Sequence, residues 1–231
     1  MGTIIGRPLD ENGEPTDGRG IEVEPNGPAA DLLRNASRPL VSSPGLGQWF
    51  SLLRTPDENS DERPAILLWL APDATALPPH RHPDEAEYFR TVEGEITVVV
   101  EGEPQRLGPG EEVTVQPGQS HSFRNDTDDF VATYVELPWM KTAETLCTVC
   151  GKDHDGEFGT DGGYGEPGFV HGLVMAEAIR EGTKIPSAPF AVQRVLWATV
   201  GRVAKAFGHC AVDKRYLRDE FWEATVEQPD L

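Results

Sequence analysis

Residues 80–87 read His-Arg-His-Pro-Asp-Glu-Ala-Glu. A β-strand alternates its faces, so His80 and His82 project from the same side, about 6–7 Å apart along the strand. Glu87 lies an odd number of residues beyond His82 and would face the other way in a straight strand. The Pro-Asp pair at 83–84 disfavours a straight strand, and a bend or bulge there would bring Glu87 back to the histidine face.

A second block, residues 110–125, contributes a third histidine. It begins with a glycine, contains the turn pair Pro117-Gly118, and reaches His121 three residues after that second glycine. Alternation and turn residues predict a series of short strands at residues 87–92, 95–100, 105–107, 111–115 and 121–125. His121 is therefore expected on a strand that is distant in sequence from the first block and adjacent to it in space.

Three neutral imidazoles and one carboxylate supply mixed nitrogen and oxygen ligands for one first-row metal ion. Iron(II), manganese, nickel, cobalt, copper and zinc all suit such a set, and their order of affinity does not choose among them. No cysteine lies in either block, which disfavours a structural zinc knot. Four protein ligands around an octahedral ion leave two positions open for water, substrate or dioxygen, which is the catalytic arrangement.

Both blocks resemble the two sequence motifs of the cupin superfamily, over residues 66–136. The positions that match are His80, His82, Glu87, Gly94, Gly110, Gly118, His121 and Asn125. Two backbone positions depart, because Ala74 stands for the leading glycine of the first motif and Gln116 for the first proline of the second. These departures concern turn geometry more than ligation. The resemblance implies a mainly β fold, an antiparallel double-stranded β-helix or jelly-roll barrel, with a metal inside it held by His80, His82, Glu87 and His121.

Composition excludes several classes of protein. The net charge is −19, from 39 acidic and 20 basic residues, and the basic residues are mostly arginine. Such acidity disfavours nucleic-acid binding, which needs a basic face, and resembles the composition of proteins from extreme halophiles. The sequence has no run of 18 apolar residues, so no membrane span is expected. Its first residues lack an apolar segment, so no secretory signal is expected. Three cysteines form no disulfide framework, so a reducing cytoplasm is expected.

The chain divides into three parts by pattern. Residues 1–46 are rich in glycine, proline and acidic residues and predict an arm that is partly disordered, notably at 10–20, or that packs on a partner subunit, so a homodimer is expected. Residues 47–140 predict the barrel. Its first hairpin is expected from strands at 47–54 and 65–71, and its last strand at 130–138. Residues 141–231 predict a helical extension.

The period changes within this extension. Residues 142–151 lack strand alternation and predict a helix that ends at Gly151. The helix carries Cys147 and Cys150, which we interpret as small core residues. A zinc site would need a second pair of ligands at a suitable spacing, and none is obvious. A thioredoxin-like redox role would need a βαβ context, which the predicted elements lack.

Two further helices are expected, at 169–181 and at 188–207, after a glycine-rich loop at 152–168. The second of them ends at Gly208. Its apolar residues recur near a 3.6-residue period, at Val192, Val195, Leu196, Val200, Val203 and Phe207. Its basic residues cluster on the opposite face, at Arg194, Arg202 and Lys205. We interpret this basic stripe as a solvated face; a subunit interface and a membrane-surface helix are the alternatives.

These observations favour a metal-dependent oxygenase that acts on a small organic molecule. Glu87 would serve as a ligand or, by resemblance to quercetin-type dioxygenases, leave the metal to act as a base. Pocket-lining candidates are Tyr88, Phe89, Thr91 and Phe123. The alternatives are a non-catalytic module that binds a small ligand and, third, a sugar isomerase or epimerase.

Overall fold

The computed structural model describes residues 2–16, 18–57, 60–186 and 189–231. The strands are β1 (Thr3–Ile5), β2 (Ile21–Val23), β3 (Val41–Ser43), β4 (Gln48–Arg54), β5 (Ala65–Leu70), β6 (Glu87–Glu93), β7 (Ile96–Val100), β8 (Glu103–Leu107), β9 (Glu112–Val115), β10 (His121–Arg124) and β11 (Val131–Glu136). The α-helices are α1 (Pro28–Leu33), α2 (Met140–His154), α3 (Phe169–Ile179), α4 (Phe190–Leu196), α5 (Arg202–Ala206) and α6 (Asp219–Thr225). None of the described helices is long and apolar enough to cross a bilayer.

Two antiparallel sheets form the barrel. One has the strand order β3-β4-β5-β11-β6-β9, and the other has the order β10-β7-β8. Side chains of β6 alternate as expected, so Glu87, Phe89 and Thr91 are buried while Tyr88 and Arg90 are partly exposed. The prediction of a mainly β, antiparallel cupin-type barrel followed by α-helices is confirmed, as are the predicted first hairpin, β4 with β5, and the last strand, β11.

The N-terminal arm packs on the outside of the larger sheet. Ile5, Ile21 and Val23 share an apolar cluster with Trp49 and Trp69. Asp17, in the segment expected to be disordered, lies outside the described residues. Contact of the arm with a partner subunit stays a prediction. The division of the chain after residues 46 and 140 also stays a prediction. Residues of α2 pack into the same apolar core as the barrel, so the core does not mark a boundary at residue 140.

The end of α2 differs from the prediction. The helix continues through Gly151 to His154, so the predicted loop begins later than residue 152. Gly151 does not terminate the helix; it makes room for the ring of Tyr216, since a Cβ there would lie 2.1 Å from the ring carbon Cδ1. A close approach between a helix and a buried ring requires the glycine.

The helix expected at 188–207 is interrupted. Ala188 lies outside the described residues, and a π-helical turn, Trp197–Gly201, separates α4 from α5. The helix packs on α3 through Trp197 and Ala204, which are buried. The predicted apolar face does not provide this contact, because five of its six residues are exposed, by 62% at Val195 and 84% at Phe207, and only Leu196 is half-buried. Periodicity found the helix but not the side that packs.

Candidate metal centre

The four predicted ligand residues converge inside the barrel. Glu87 opens β6 and His121 opens β10. The backbones of His80 and His121 form an antiparallel bridge, with N–O distances of 2.9 and 2.7 Å. The chain bends at 83–84, where the Pro-Asp pair predicts a bend. As a result, one ligand atom from each of the four side chains lies within 4.8 Å of the others.

The carboxylate of Glu87 lies at the centre of this cluster. Its Oε2 atom is 2.6 Å from Nε2 of His121, 3.3 Å from Nε2 of His82 and 4.0 Å from Nε2 of His80. Two ligand atoms that each lie about 2.1 Å from one ion, at right angles, are about 3 Å apart. The observed separations bracket that value, so small side-chain adjustments suffice for all four atoms to share one ion.

The outer ring nitrogens of the histidines are tied to the backbone. Each Nδ1 lies 3.0–3.3 Å from a carbonyl oxygen, those of Pro78, Gly182 and Gln119 for His80, His82 and His121 respectively. A carbonyl oxygen only accepts, so this contact places a proton on Nδ1. Nε2, which faces Glu87, is then the nitrogen that can bind a metal ion or, without one, carry a second proton that it donates to the carboxylate. At His121 the two atoms are 2.6 Å apart, a contact that needs such a proton or a metal ion between them. Metal-ligating imidazoles are oriented in this way.

Burial and neighbouring charges set the protonation of the cluster. Burial alone would raise the pKa of Glu87, but hydrogen bonds with His121 and His82 and the nearby imidazoles outweigh it and lower that pKa to about 2. Burial lowers the pKa of His80 to about 4. Burial acts in the same direction on His82, but there the hydrogen bond and the charge of Glu87, together with the Gly182 carbonyl, outweigh it and the pKa is raised. At neutral pH Glu87 is thus ionised and the His80 imidazole is neutral, which is the state that metal binding requires of these two groups.

The cluster opens onto a cavity of about 430 Å³. Its walls are mostly apolar and come from both sheets of the barrel and from α2, α3 and the segment after α3. None of the described residues that line it is Lys or Arg. Its polar lining residues, besides the cluster, are Gln48, Thr75, Thr142, Thr145, Glu166 and Thr183.

The helical extension contributes two polar side chains that the sequence did not single out. Thr183 is buried, and its hydroxyl lies 3.1 Å from Nδ1 of His82, beside the Gly182 carbonyl. Thr145 of α2 is also buried, and its hydroxyl has no hydrogen-bond partner. Both residues reach the cavity through contacts between segments far apart in sequence, and no local pattern marks such contacts.

The predicted pocket residues divide between the two faces of their strands. Phe123 lines the cavity, and Phe89 packs against the rings of Phe123 and His121. Thr91 is buried but donates its hydroxyl hydrogen to a backbone carbonyl in the barrel. Tyr88 points away, towards Glu112 on the neighbouring strand.

The remaining cysteines and histidines do not join the cluster. Cys147 and Cys150 are free and buried in the apolar core, as interpreted from the sequence. Burial raises the pKa of the Cys147 thiol to about 12. His154 contacts the hydroxyl of Ser42, and its pKa is lowered to about 4, mainly by burial.

Comparison with known proteins gives a family match to the barrel. Residues 59–138 match the model of the Cupin domain family. The chain is 34% identical over 88 residues to the dimethylsulfoniopropionate lyase DddQ of Ruegeria pomeroyi, a match that covers 38% of this chain and 43% of the lyase. It thus spans less than half the length of that curated relative.

Two solved structures illustrate the structural likeness. A sugar phosphate isomerase from a cupin superfamily of Silicibacter pomeroyi is 26% identical, with a TM-score of 0.36 and coverage of 45% of this chain and 71% of that one. The polyketide cyclase RemF of Streptomyces resistomycificus is 20% identical, with a TM-score of 0.37 and coverage of 45% and 73%. The two motifs, the barrel and the match over residues 59–138 agree, and this part of the chain is a cupin domain.

Proposed function

We propose that this protein is a metal-dependent cupin oxygenase that acts on a small, largely apolar organic molecule. The observation that carries the proposal is that three members of the cluster, His80, His82 and Glu87, line an apolar cavity of about 430 Å³, with His121 beside them. A divalent transition metal held by His80, His82, Glu87 and His121 would polarise a donor atom of the substrate and, if it is redox-active, activate dioxygen.

The protein's own residues would bind and orient the substrate. The apolar walls favour an apolar body, and they exclude water from the cluster. The unpartnered hydroxyl of Thr145 offers a hydrogen bond to one polar atom of the substrate. Glu87 would remain a ligand or take a proton from the bound molecule. A sugar phosphate fits poorly, because none of the described lining residues is a cation that could pair with its phosphate.

Metal binding is tested before turnover. The protein is stripped of metal, reconstituted with iron(II), manganese or nickel, and analysed for its metal content. Glu87→Gln is expected to bind less metal than the unaltered protein. Glu166→Gln, which alters a cavity-lining glutamate outside the cluster, is the matched control and is expected to bind as much. Equal metal content in both variants would refute the metal centre.

Turnover is tested by oxygen uptake with flavonols, diketones and catechols. Uptake that depends on the metal and is lost in Glu87→Gln is the expected result. A stoichiometric metal without uptake on any of these compounds would refute the oxygenase. If, in addition, an organic molecule copurifies with the protein, the non-catalytic binding module becomes the preferred function in place of the oxygenase. The dimethylsulfoniopropionate lyase among the relatives makes that lyase reaction the next one to assay.

A further inference from the structure

A second pocket lies beside α3, on a different face of the helix from the cavity. It has a volume of about 540 Å³ and is lined by Glu177, Arg180, Phe190, Arg194, Trp197, Ala198, Arg202 and Lys205. Four of these side chains are cationic and one is acidic. The whole chain has 39 acidic and 20 basic residues, so an excess of basic over acidic side chains in this pocket is the reverse of the charge ratio of the protein.

The cations of this pocket are only partly neutralised. Lys205 forms an ion pair of 2.7 Å with Glu177, the one acidic lining residue. Arg180 donates to the backbone carbonyl of Glu177. Arg194 and Arg202 form no ion pair with any residue in the described parts of the chain. Two guanidinium groups are therefore left at one pocket without a carboxylate.

A buried donor in the same pocket lacks an acceptor. Trp197 is only 7% exposed, and its indole Nε1 has no hydrogen-bond partner among the described residues. An indole N–H can only donate, and leaving such a donor buried and unpaired is unfavourable. Trp197 begins the π-helical turn, a distortion that often accompanies functional sites. The distortion separates the part of the helix that carries Arg194 from the part that carries Arg202.

We propose that this pocket binds a small anion of the phosphate type, either a free phosphate or the phosphate of a lipid headgroup. The guanidinium groups without an ion pair and the indole N–H without an acceptor are donors, whereas the one carboxylate of the pocket, that of Glu177, faces Lys205. A phosphate is an anion whose oxygens mainly accept. Guanidinium groups bind phosphate oxygens in pairs of parallel hydrogen bonds, which suits Arg194 and Arg202. The indole N–H of Trp197 would complete the set. The site is separate from the metal centre and does not depend on the proposed oxygenase.

The test is calorimetric titration of the full chain with inorganic phosphate and pyrophosphate at constant ionic strength. Arg194→Gln/Arg202→Gln is expected to weaken binding about tenfold or more. Trp197→Phe keeps the packing of a ring and is expected to weaken it less. The control is Arg106→Gln, which removes one charge from an exposed arginine on β8 and is expected to leave the affinity unchanged. Circular dichroism checks that each variant is folded.

Vesicles separate the two sources of phosphate. Co-sedimentation with phosphatidylglycerol, but not with phosphatidylcholine, that is lost in Arg194→Gln/Arg202→Gln assigns the site to a lipid headgroup. Titration with free phosphate that shows the same dependence assigns it to a soluble ligand. The proposal is overturned if the unaltered protein binds neither probe, or if Arg106→Gln weakens binding as much as the double variant does.

Discussion

The substitution Gly151→Ala tests how tightly two parts of the helical extension, α2 and the segment that carries Tyr216, pack together. An added Cβ would lie 2.1 Å from Cδ1 and 2.3 Å from Cγ of Tyr216, more than 1 Å inside ordinary van der Waals contact. The ring cannot easily retreat. It is 2% exposed, it packs against Phe221 with ring centroids 5.0 Å apart, and its hydroxyl donates to Asp155. Overpacking of this kind costs about 1–3 kcal/mol, and the size of the overlap favours the upper end.

Helix propensity opposes this cost, because alanine is favoured over glycine in a helix interior by about 1 kcal/mol. The net loss in the free energy of unfolding is therefore about 2 kcal/mol. In a chain of this size, 1 kcal/mol changes the melting temperature by about 2–4 °C, so Gly151→Ala should lower it by about 4–8 °C.

Gly172→Ala is the matched control, since Gly172 is also helical but a Cβ there meets nothing within 4 Å. Propensity alone should then act, and the melting temperature should rise by about 2–4 °C. Thermal denaturation followed by circular dichroism measures both changes. If Gly151→Ala is as stable as Gly172→Ala, the close contact between α2 and the ring of Tyr216 is refuted.

Three further predictions concern the site and the surface. Thr183→Val should weaken metal binding about tenfold, measured by competition with a chromophoric chelator, because His82 loses one of the two groups that orient it; unchanged affinity would contradict this role. A thiol reagent should label Cys210 in the folded protein and reach Cys147 and Cys150 only after unfolding; labelling of all three thiols in the native state would refute their burial. The melting temperature should rise between low and molar potassium chloride, because salt screens the repulsion that a net charge of −19 creates; a flat or falling curve would be the contrary result.

The ligand cluster could be predicted because its signal is local. A single block of sequence fixes the spacing of His80, His82 and Glu87, and the Pro-Asp pair at 83–84 accounts for the change of face. Only the approach of His121 is long-range, and its block carries its own turn residues. The barrel strands followed from the same alternation and turns.

The helical extension was less predictable because tertiary packing overrides its local pattern. Glycine is a residue type that often ends a helix, which is why the sequence predicts a helix end at Gly151. The glycine instead accommodates the ring of Tyr216, which lies 65 residues later in the chain and which no local pattern reveals. The apolar stripe of the helix expected at 188–207 has the period of a packing face, yet the helix packs through Trp197 and Ala204 instead. The spacing of apolar residues shows which face of a helix is apolar, but it does not show whether another element of the fold covers that face.

The cavity explains why family membership does not by itself assign a substrate. The matched region, residues 59–138, contains all four predicted ligand residues, so the candidate metal centre falls inside the match. Twelve of the 27 described lining residues of the cavity lie after residue 138, on α2, on α3 and on the segments before and after α3. The extension thus builds a substantial part of the wall that would recognise the body of a substrate. That part lies outside the match over residues 59–138, so a substrate cannot be transferred from a barrel match alone.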